Sequence, residues 1–447
     1  MLPMPSLPPD HPERLVLADE VHARPPEPLE TPSRATYLAL LVDPADRERE
    51  HEHIATLCGA FAVAPPATGV SHFSTMLGTV RLKWERHGEF SSVTLIAPGR
   101  SLLPFSEPVA ALLPPDWLQR LPGQTIVAAH ASLVPEDPAH PGKPPGAAWL
   151  AEHFDGHIVL GSDVGGGGGY AFTDFRIHAD GCTRFVLIDR NLTPRQAGRT
   201  LQRLFEIEAY RMLALLALPM ARRQSPRIVV IERALAEFTD GIASGQGQDE
   251  ALLHELTRLA AEVESGLAAS QFRFGACRAY AELVRTRIAE LRETRIPGLQ
   301  TIEEFMARRF TPAVTTCATV SQRLLDLSER VAQASALLAT RVGIAREGQN
   351  QALLASMDRR AKLQLRLQQT VEGLSVAAIV YYAAGLVGYL AKAGKAGGLP
   401  LDADLTVGLA VPALALMALL TVRRARRRVR TAEAQEASAA AEVPGRL

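Results

Sequence analysis

GLSVAAIVYYAAGLVGYLA, residues Gly373 to Ala391, and LTVGLAVPALALMALLTV, residues Leu405 to Val422, are runs of 19 and 18 residues without a charged side chain. At about 1.5 Å of helical rise per residue they reach about 27 to 29 Å, the thickness of a bilayer's hydrocarbon core. Six arginines follow the second run: Arg423, Arg424, Arg426, Arg427, Arg428 and Arg430. These features predict a transmembrane hairpin over residues 373–422 and a basic tail over 423–447. Lys and Arg close to a span resist translocation. Arg359, Arg360, Lys362 and Arg366 ahead of the first span, and the arginines behind the second, therefore place both flanks in the cytoplasm. The short loop Lys392 to Asp404, with two lysines and two aspartates, is left outside. The expected location is the cytoplasmic (inner) membrane, multi-pass, N-in and C-in, with the lipid bilayer as partner.

Upstream of the hairpin the chain reads as helix from Thr193 onward. Thr193-Pro194 supplies an N-cap with proline at the first helical position, and that helix runs to about Leu218. Further helices are expected over Arg227 to Ala243, Glu250 to Arg295 and Ile302 to Val371. In the last, Val320, Leu324, Leu327, Val331, Ala334, Leu338, Arg341 and Ala345 recur at alternating steps of four and three, keeping one seam toward a partner helix. That seam fits either a helical hairpin within the chain or a coiled-coil stalk joining copies into a homo-oligomer. Leu363, Leu367, Val371 and Leu374 resume the spacing and lead into the first span.

Before Thr193 the pattern changes. Thr36 to Val42, Ser74 to Trp84, Ser91 to Ala97, Thr125 to Ala131, His157 to Gly161, Tyr170 to His178 and Thr183 to Asp189 are β-rich runs separated in several places by Gly or Pro turns. Asp46 to Phe61 reads as a helix after the Asp43-Pro44 start signal. The fold class is α+β: a proline-rich N-terminal arm (1–33), a mixed α/β cytoplasmic domain (34–192), a long helical region and stalk (193–372), and the two-helix transmembrane hairpin. A chain of 447 residues is too long for one core, which agrees with that division.

Composition removes some functions. The formal net charge is zero, so no general attraction to nucleic acid follows, and the basic charge is local to the tail. Met1 to Asp10 has neither a basic nor an apolar stretch of the secretory kind. Cys58, Cys182, Cys277 and Cys317 lie far apart, without the spacing of a zinc ribbon, and suit a reducing compartment.

The segments HPERLVLADEVHARPPEPLETP (His11 to Pro32), TDFRIHADGCTRFVLIDRNLTPRQAGRTLQRLFEIEAYRMLALLALP (Thr173 to Pro219), LRETRIPGLQTIEEFMARR (Leu291 to Arg309) and RRAKLQLRLQQTVEGLSVAAIVYY (Arg359 to Tyr382) resemble a bacterial family of uncharacterised membrane-anchored proteins, a domain of unknown function. The resemblance implies membrane anchoring and carries no catalytic residue. The layout is also similar to that of CorA-type divalent-cation channels, homo-pentamers whose pore-lining first span ends in a Gly-Met-Asn signature. It implies a homo-oligomeric ion channel or transporter as the alternative function. The matching place here reads Gly388-Tyr389-Leu390, so the glycine matches and the asparagine does not. Lys392 and Lys395 just beyond would repel cations at a pore mouth.

Candidate residues fall in three places. Glu20, His22 and Arg24, in an extended segment, project to one side as an acid, an imidazole and a guanidinium, a set able to bind an anion, to transfer a proton or to fasten the arm by ion pairs. Asp174, Arg176 and His178 share one face of the expected strand Thr173 to His178, as a second ligand-binding candidate or a polar sheet face. In the first span, Tyr381, Tyr382, Gly385, Gly388 and Tyr389 fall with Ala378 on one helical face, for helix packing or a pore. The five-glycine run Gly165 to Gly169 lacks the Gly-Lys-Ser/Thr ending of a phosphate cradle and reads as a hairpin loop. His51 and His53, two apart on a helix, point some 200° from each other and cannot share an ion. Spacing shows no nucleophile–base pair, catalytic carboxylate pair or metal cluster. The expectation is therefore a membrane-anchored protein of unknown biochemical activity rather than an enzyme, with a cytoplasmic domain for assembly or for binding a partner or ligand, no cofactor, and the small ligand or ion unspecified.

Overall fold

The computed structural model describes residues 8–15, 17–18, 25–243, 249–396 and 402–441. The chain forms two compact units, Met1–Leu338 and Ala339–Leu447. Among the described residues the first unit contains a nine-stranded sheet: β1 (Ser33–Leu41), β2 (His72–Leu77), β3 (Val80–Arg86), β4 (Phe90–Pro98), β5 (Gln124–Pro135), β6 (Leu160–Val164), β7 (Gly169–Thr173), β8 (Thr183–Asp189) and β9 (Thr294–Arg295). Their order is β2-β3-β4-β1-β5-β8-β7-β6-β9. The β5–β8 pair is parallel and the other pairs are antiparallel.

Three strand expectations are corrected. The run His157 to Gly161 becomes strand only at Leu160, where β6 begins, and residues 157–159 are loop. Ser74 to Trp84 is a hairpin, β2–β3, reversing at Gly78 with φ 62°, a conformation glycine adopts at little cost. Tyr170 to His178 stays extended only to Thr173, because Phe175 turns into the left-handed region at φ 49° and residues 174–178 form a loop. The glycine run is the β6–β7 turn, with Gly165, Gly166 and Gly167 all at positive φ.

Both sheet faces are covered. Helix α1 (Arg47–Ala60) lays Ile54, Leu57 and Cys58 on Leu82, Trp84, Val93 and Leu95, all essentially inaccessible to solvent. Trp84 Nε1 donates to the buried Glu50 carboxylate at 2.9 Å. Short helix α2 (Ala147–His153) and the residue after it bring Leu150 and Phe154 onto Tyr170, Phe172, Val186 and Ile188. On the opposite face lies α3 (Pro194–Leu215), where Tyr37 stacks on Phe205 at 4.7 Å and Phe205 meets Phe185 edge-on. The expected cap is present as a full capping box: Thr193 accepts from the Gln196 N–H, and Gln196 accepts from the Thr193 N–H.

Helices α4 (Leu218–Ala243), α5 (Asp249–Leu291), α6 (Ile302–Arg309) and α7 (Thr311–Ala396) follow. The helix expected over Ile302 to Val371 is interrupted after Arg309, where Pro312 has no N–H to return to the preceding turn and instead occupies the first turn of α7. The seam Val320, Leu324, Leu327, Val331, Ala334 and Leu338 is buried inside this unit. Arg323 pairs with Glu232 of α4 at 2.6 Å, and Ser328 donates to Glu264 of α5 at 2.8 Å. Its partner over this stretch is therefore the chain itself.

Glu293, just past α5, ties β6 to α6. Its carboxylate accepts from Ser162 Oγ (2.8 Å) and from the N–H groups of Ile302 (3.1 Å) and Glu303 (3.0 Å). Burial raises its pKa above the ordinary 4.5 despite these donors. A folded-state value above the unfolded one means that the native state binds more protons between the two. The group's contribution to stability therefore falls as pH rises through a window that opens at about 4.5. Glu293→Gln, compared with the parent by urea unfolding at a series of pH values, is expected to lose that slope.

In the second unit, α7 continues from Ala339, and α8 spans Ala403–Ala441. Both contain a stretch long and apolar enough to cross a membrane. The two pack through small residues: Ala384 and Ala391 are buried, and Gly388 faces Val407 so closely that a Cβ there would stand 3.1 Å from it. Tyr381, Tyr382, Gly385 and Tyr389 are exposed. Gly388 is thus the one of the five candidate residues seated against the other helix.

Candidate functional site

Two adjacent loops at one end of the sheet bring together a His/Asp cluster. The first leaves α2 through Asp155 and Gly156, both at positive φ, and carries His157 into β6. The second runs from β7 to β8 and is fixed by its own short side chains. Thr173 Oγ1 accepts from the Phe175 N–H (3.2 Å), Asp174 Oδ1 from the Arg176 N–H (3.1 Å), and Asp180 Oδ1 from the Cys182 N–H (2.9 Å). A backbone bond from His178 N–H to Cys182 O closes it.

Asp174 Oδ2 lies 2.9 Å from His157 Nδ1 and 2.9 Å from His178 Nε2. The other nitrogen of His178, Nδ1, is 2.9 Å from Asp155 Oδ2, and Asp155 Oδ1 pairs with Arg184 at 3.0 Å. The side chains of Asp174 and His178 are sealed from solvent, while His157 keeps about a third of its surface exposed. His157, Asp174 and His178 each offer a ligand atom, and these atoms lie within 4.8 Å of one another. Arg184 also donates to the His153 carbonyl and lies over Phe105, so its charge is held at the rim.

The surrounding titratable groups are shifted by these contacts or by burial. The hydrogen bond from His178, helped by Arg184, holds the Asp155 carboxyl below its ordinary range. Burial lowers the pKa of His153 and of His130, whose Nδ1 meets Thr36 Oγ1 at 3.1 Å. Cys182, at the end of the second loop, is pushed up to about 11 by burial and by Asp180, so it stays a thiol.

The sequence candidates divide accordingly. Asp174 and His178 come together, but through a loop rather than along a strand. Arg176 contributes its backbone N–H to Asp174, and its side chain is exposed. Glu20, His22 and Arg24 lie outside the described residues. Asp155 and His157 escaped the reading because they reach the cluster from another loop. His51 and His53 turn to different carbonyls, those of Pro66 and Trp117, as their opposed directions require.

A second concavity lies between β1, β3, β4 and α3. Lys83 and Glu85 pair at 3.0 Å inside it, nearly buried, with Tyr37, Gln202, Glu206 and Tyr210 around them. Burial first, then the nearby Tyr210, Glu85 and Glu206, holds the Tyr37 phenol well above its usual value.

No curated protein and no solved structure matches this chain. The family model described as Protein of unknown function (DUF3422) matches residues 9–429, which include both loops of the cluster, α7 and most of α8. A match of that extent assigns the family, and the chain belongs to the proteins of unknown function (DUF3422).

Proposed function

We propose that this is a membrane-anchored protein: Gly373–Ala391 and Leu405–Val422 cross the bilayer as a hairpin, and the N-terminal α/β unit binds a ligand or partner on the cytoplasmic side. The observation that carries the reading is the apolar surface of both stretches. Leu386, Leu390, Leu409 and Leu416 are each more than 60% exposed, and no residue of the apolar window in α8 is fully buried. At about 25 cal/mol per Å² of apolar surface, such helices favour a lipid surround strongly over water. The basic residues at both flanks support the N-in, C-in orientation.

A reporter fused after Leu447 checks this. Alkaline phosphatase there is expected to be inactive and a fluorescent protein bright, with the protein retained in membranes after alkaline carbonate washing. An active phosphatase at the C-terminus, or release by carbonate, would overturn it.

A further inference from the structure

We propose that His157 Nδ1, Asp174 Oδ2 and His178 Nε2 bind one divalent transition-metal ion, with zinc the best fit and water completing the coordination. This gives the ligand-binding part of the reading above a chemical identity, and it stands whether or not the hairpin crosses a bilayer.

Convergence of three donor atoms in a closed site carries the argument. Both nitrogens of His178 are held by carboxylates at 2.9 Å, Nδ1 by Asp155 and Nε2 by Asp174, and the ligand atoms of His157, Asp174 and His178 lie within 4.8 Å of one another. The side chains of Asp174 and His178 are sealed from solvent, so the fold itself holds these donors in place. His157 Nδ1, also 2.9 Å from Asp174 Oδ2, supplies the third donor. Metal-bound histidines commonly donate their other N–H to a carboxylate, which fixes tautomer and ring orientation, and Asp155 does this for His178. Arg184 in turn holds Asp155.

The donor set selects the ion. Two imidazoles and one carboxylate suit zinc, cobalt or nickel, whereas magnesium and calcium demand a shell made mainly of oxygen. Zinc bonds of about 2.0 to 2.2 Å put tetrahedral ligand atoms roughly 3.3 to 3.5 Å apart, so the 2.9 Å contacts open by about half an ångström on binding. The partly exposed His157 provides the route in and the open side for water.

Full-length protein without a polyhistidine tag, stripped with chelator in detergent, is titrated with Zn²⁺, and with Co²⁺ as a visible stand-in. One ion per chain and the strong visible absorption of four-coordinate cobalt are expected. His178→Ala should weaken binding about a hundredfold or more, and Asp155→Asn about 10- to 100-fold, while Arg176→Ala leaves it unchanged. His178 is buried, so His157→Ala at a partly exposed position is the decisive variant. Measured against its own metal-free melting temperature, it should lose the rise that Zn²⁺ gives the parent. Absence of uptake by the parent protein overturns the proposal, as does parental affinity in both His157→Ala and Asp155→Asn.

Discussion

Trp84→Ala is expected to destabilise the N-terminal unit by about 3 to 5 kcal/mol, the range for removing a large buried aromatic side chain. The ring is inaccessible to solvent and sits among Ile54, Leu57, Leu82, Val93 and Leu95, so little can collapse into the space. Its N–H also serves Glu50, a carboxylate almost without solvent contact, whose other oxygen lies 3.6 Å from Arg86. Arg86 in turn rests over the Trp84 ring at 4.9 Å. Cutting the side chain therefore opens a cavity, removes a donor from a buried charge and takes away the face on which the guanidinium lies. Trp84→Phe keeps an aromatic face but loses the donor and part of the indole's volume, at a cost of about 1 to 3 kcal/mol. Denaturant unfolding followed by circular dichroism measures both. Against a typical total of about 5 to 15 kcal/mol, the alanine variant should also accumulate poorly in cells.

Gly198→Leu is expected to unseat the segment that precedes β1. Residue 198 lies in the first turns of α3, and a Cβ built there falls inside the Glu27 carbonyl. The obstacle is backbone, so no rotamer change relieves it. Overpacking of this kind costs about 1 to 3 kcal/mol or more. Here the neighbourhood has an easier response, which is to release residues 25–30. That release breaks the bond from the Leu29 N–H to the Pro194 carbonyl (2.9 Å), exposes the buried Leu29 and separates Glu27 from Arg81. Limited proteolysis should show new cleavage between Pro25 and Glu30, with faster hydrogen exchange at the Leu29 amide. Even Gly198→Ala should move in this direction, since the clash begins at the β-carbon.

Much of the architecture was legible because local signals agreed with the final packing. Thr193-Pro194 opened a helix where the capping box formed, and the run Thr183 to Asp189 became β8 with the same limits. The seam from Val320 to Leu338 announced a buried face, though its spacing held no information on whether the cover came from the same chain. Ser74 to Trp84 misled because strand-forming residues run up to and away from a tight turn, which Gly78 alone signals. The site was half legible. Asp174 and His178 stood out as chemistry-bearing neighbours, but an alternating reading assigned them to a strand, and the left-handed turn at Phe175 is invisible to periodicity. His157 and Asp155 join them through sheet pairing of β6 with β7, a long-range event that no local pattern encodes.

The smallest strand sets a limit on how this protein can be divided. β9 is two residues long and arrives after three long helices, yet it lies against β6 at the end of the sheet, with Ile296 joining the core beneath α2. An unpaired strand edge invites pairing with another chain. A fragment ending near Asn191, where the β-rich region stops, would uncover the β6 edge and strip Glu293 from Ser162. The sheet with its His/Asp loops is therefore not a severable piece of the chain. Its self-sufficient form includes the helices that carry β9 back to it, and exchange of this region between proteins would have to move all of them together.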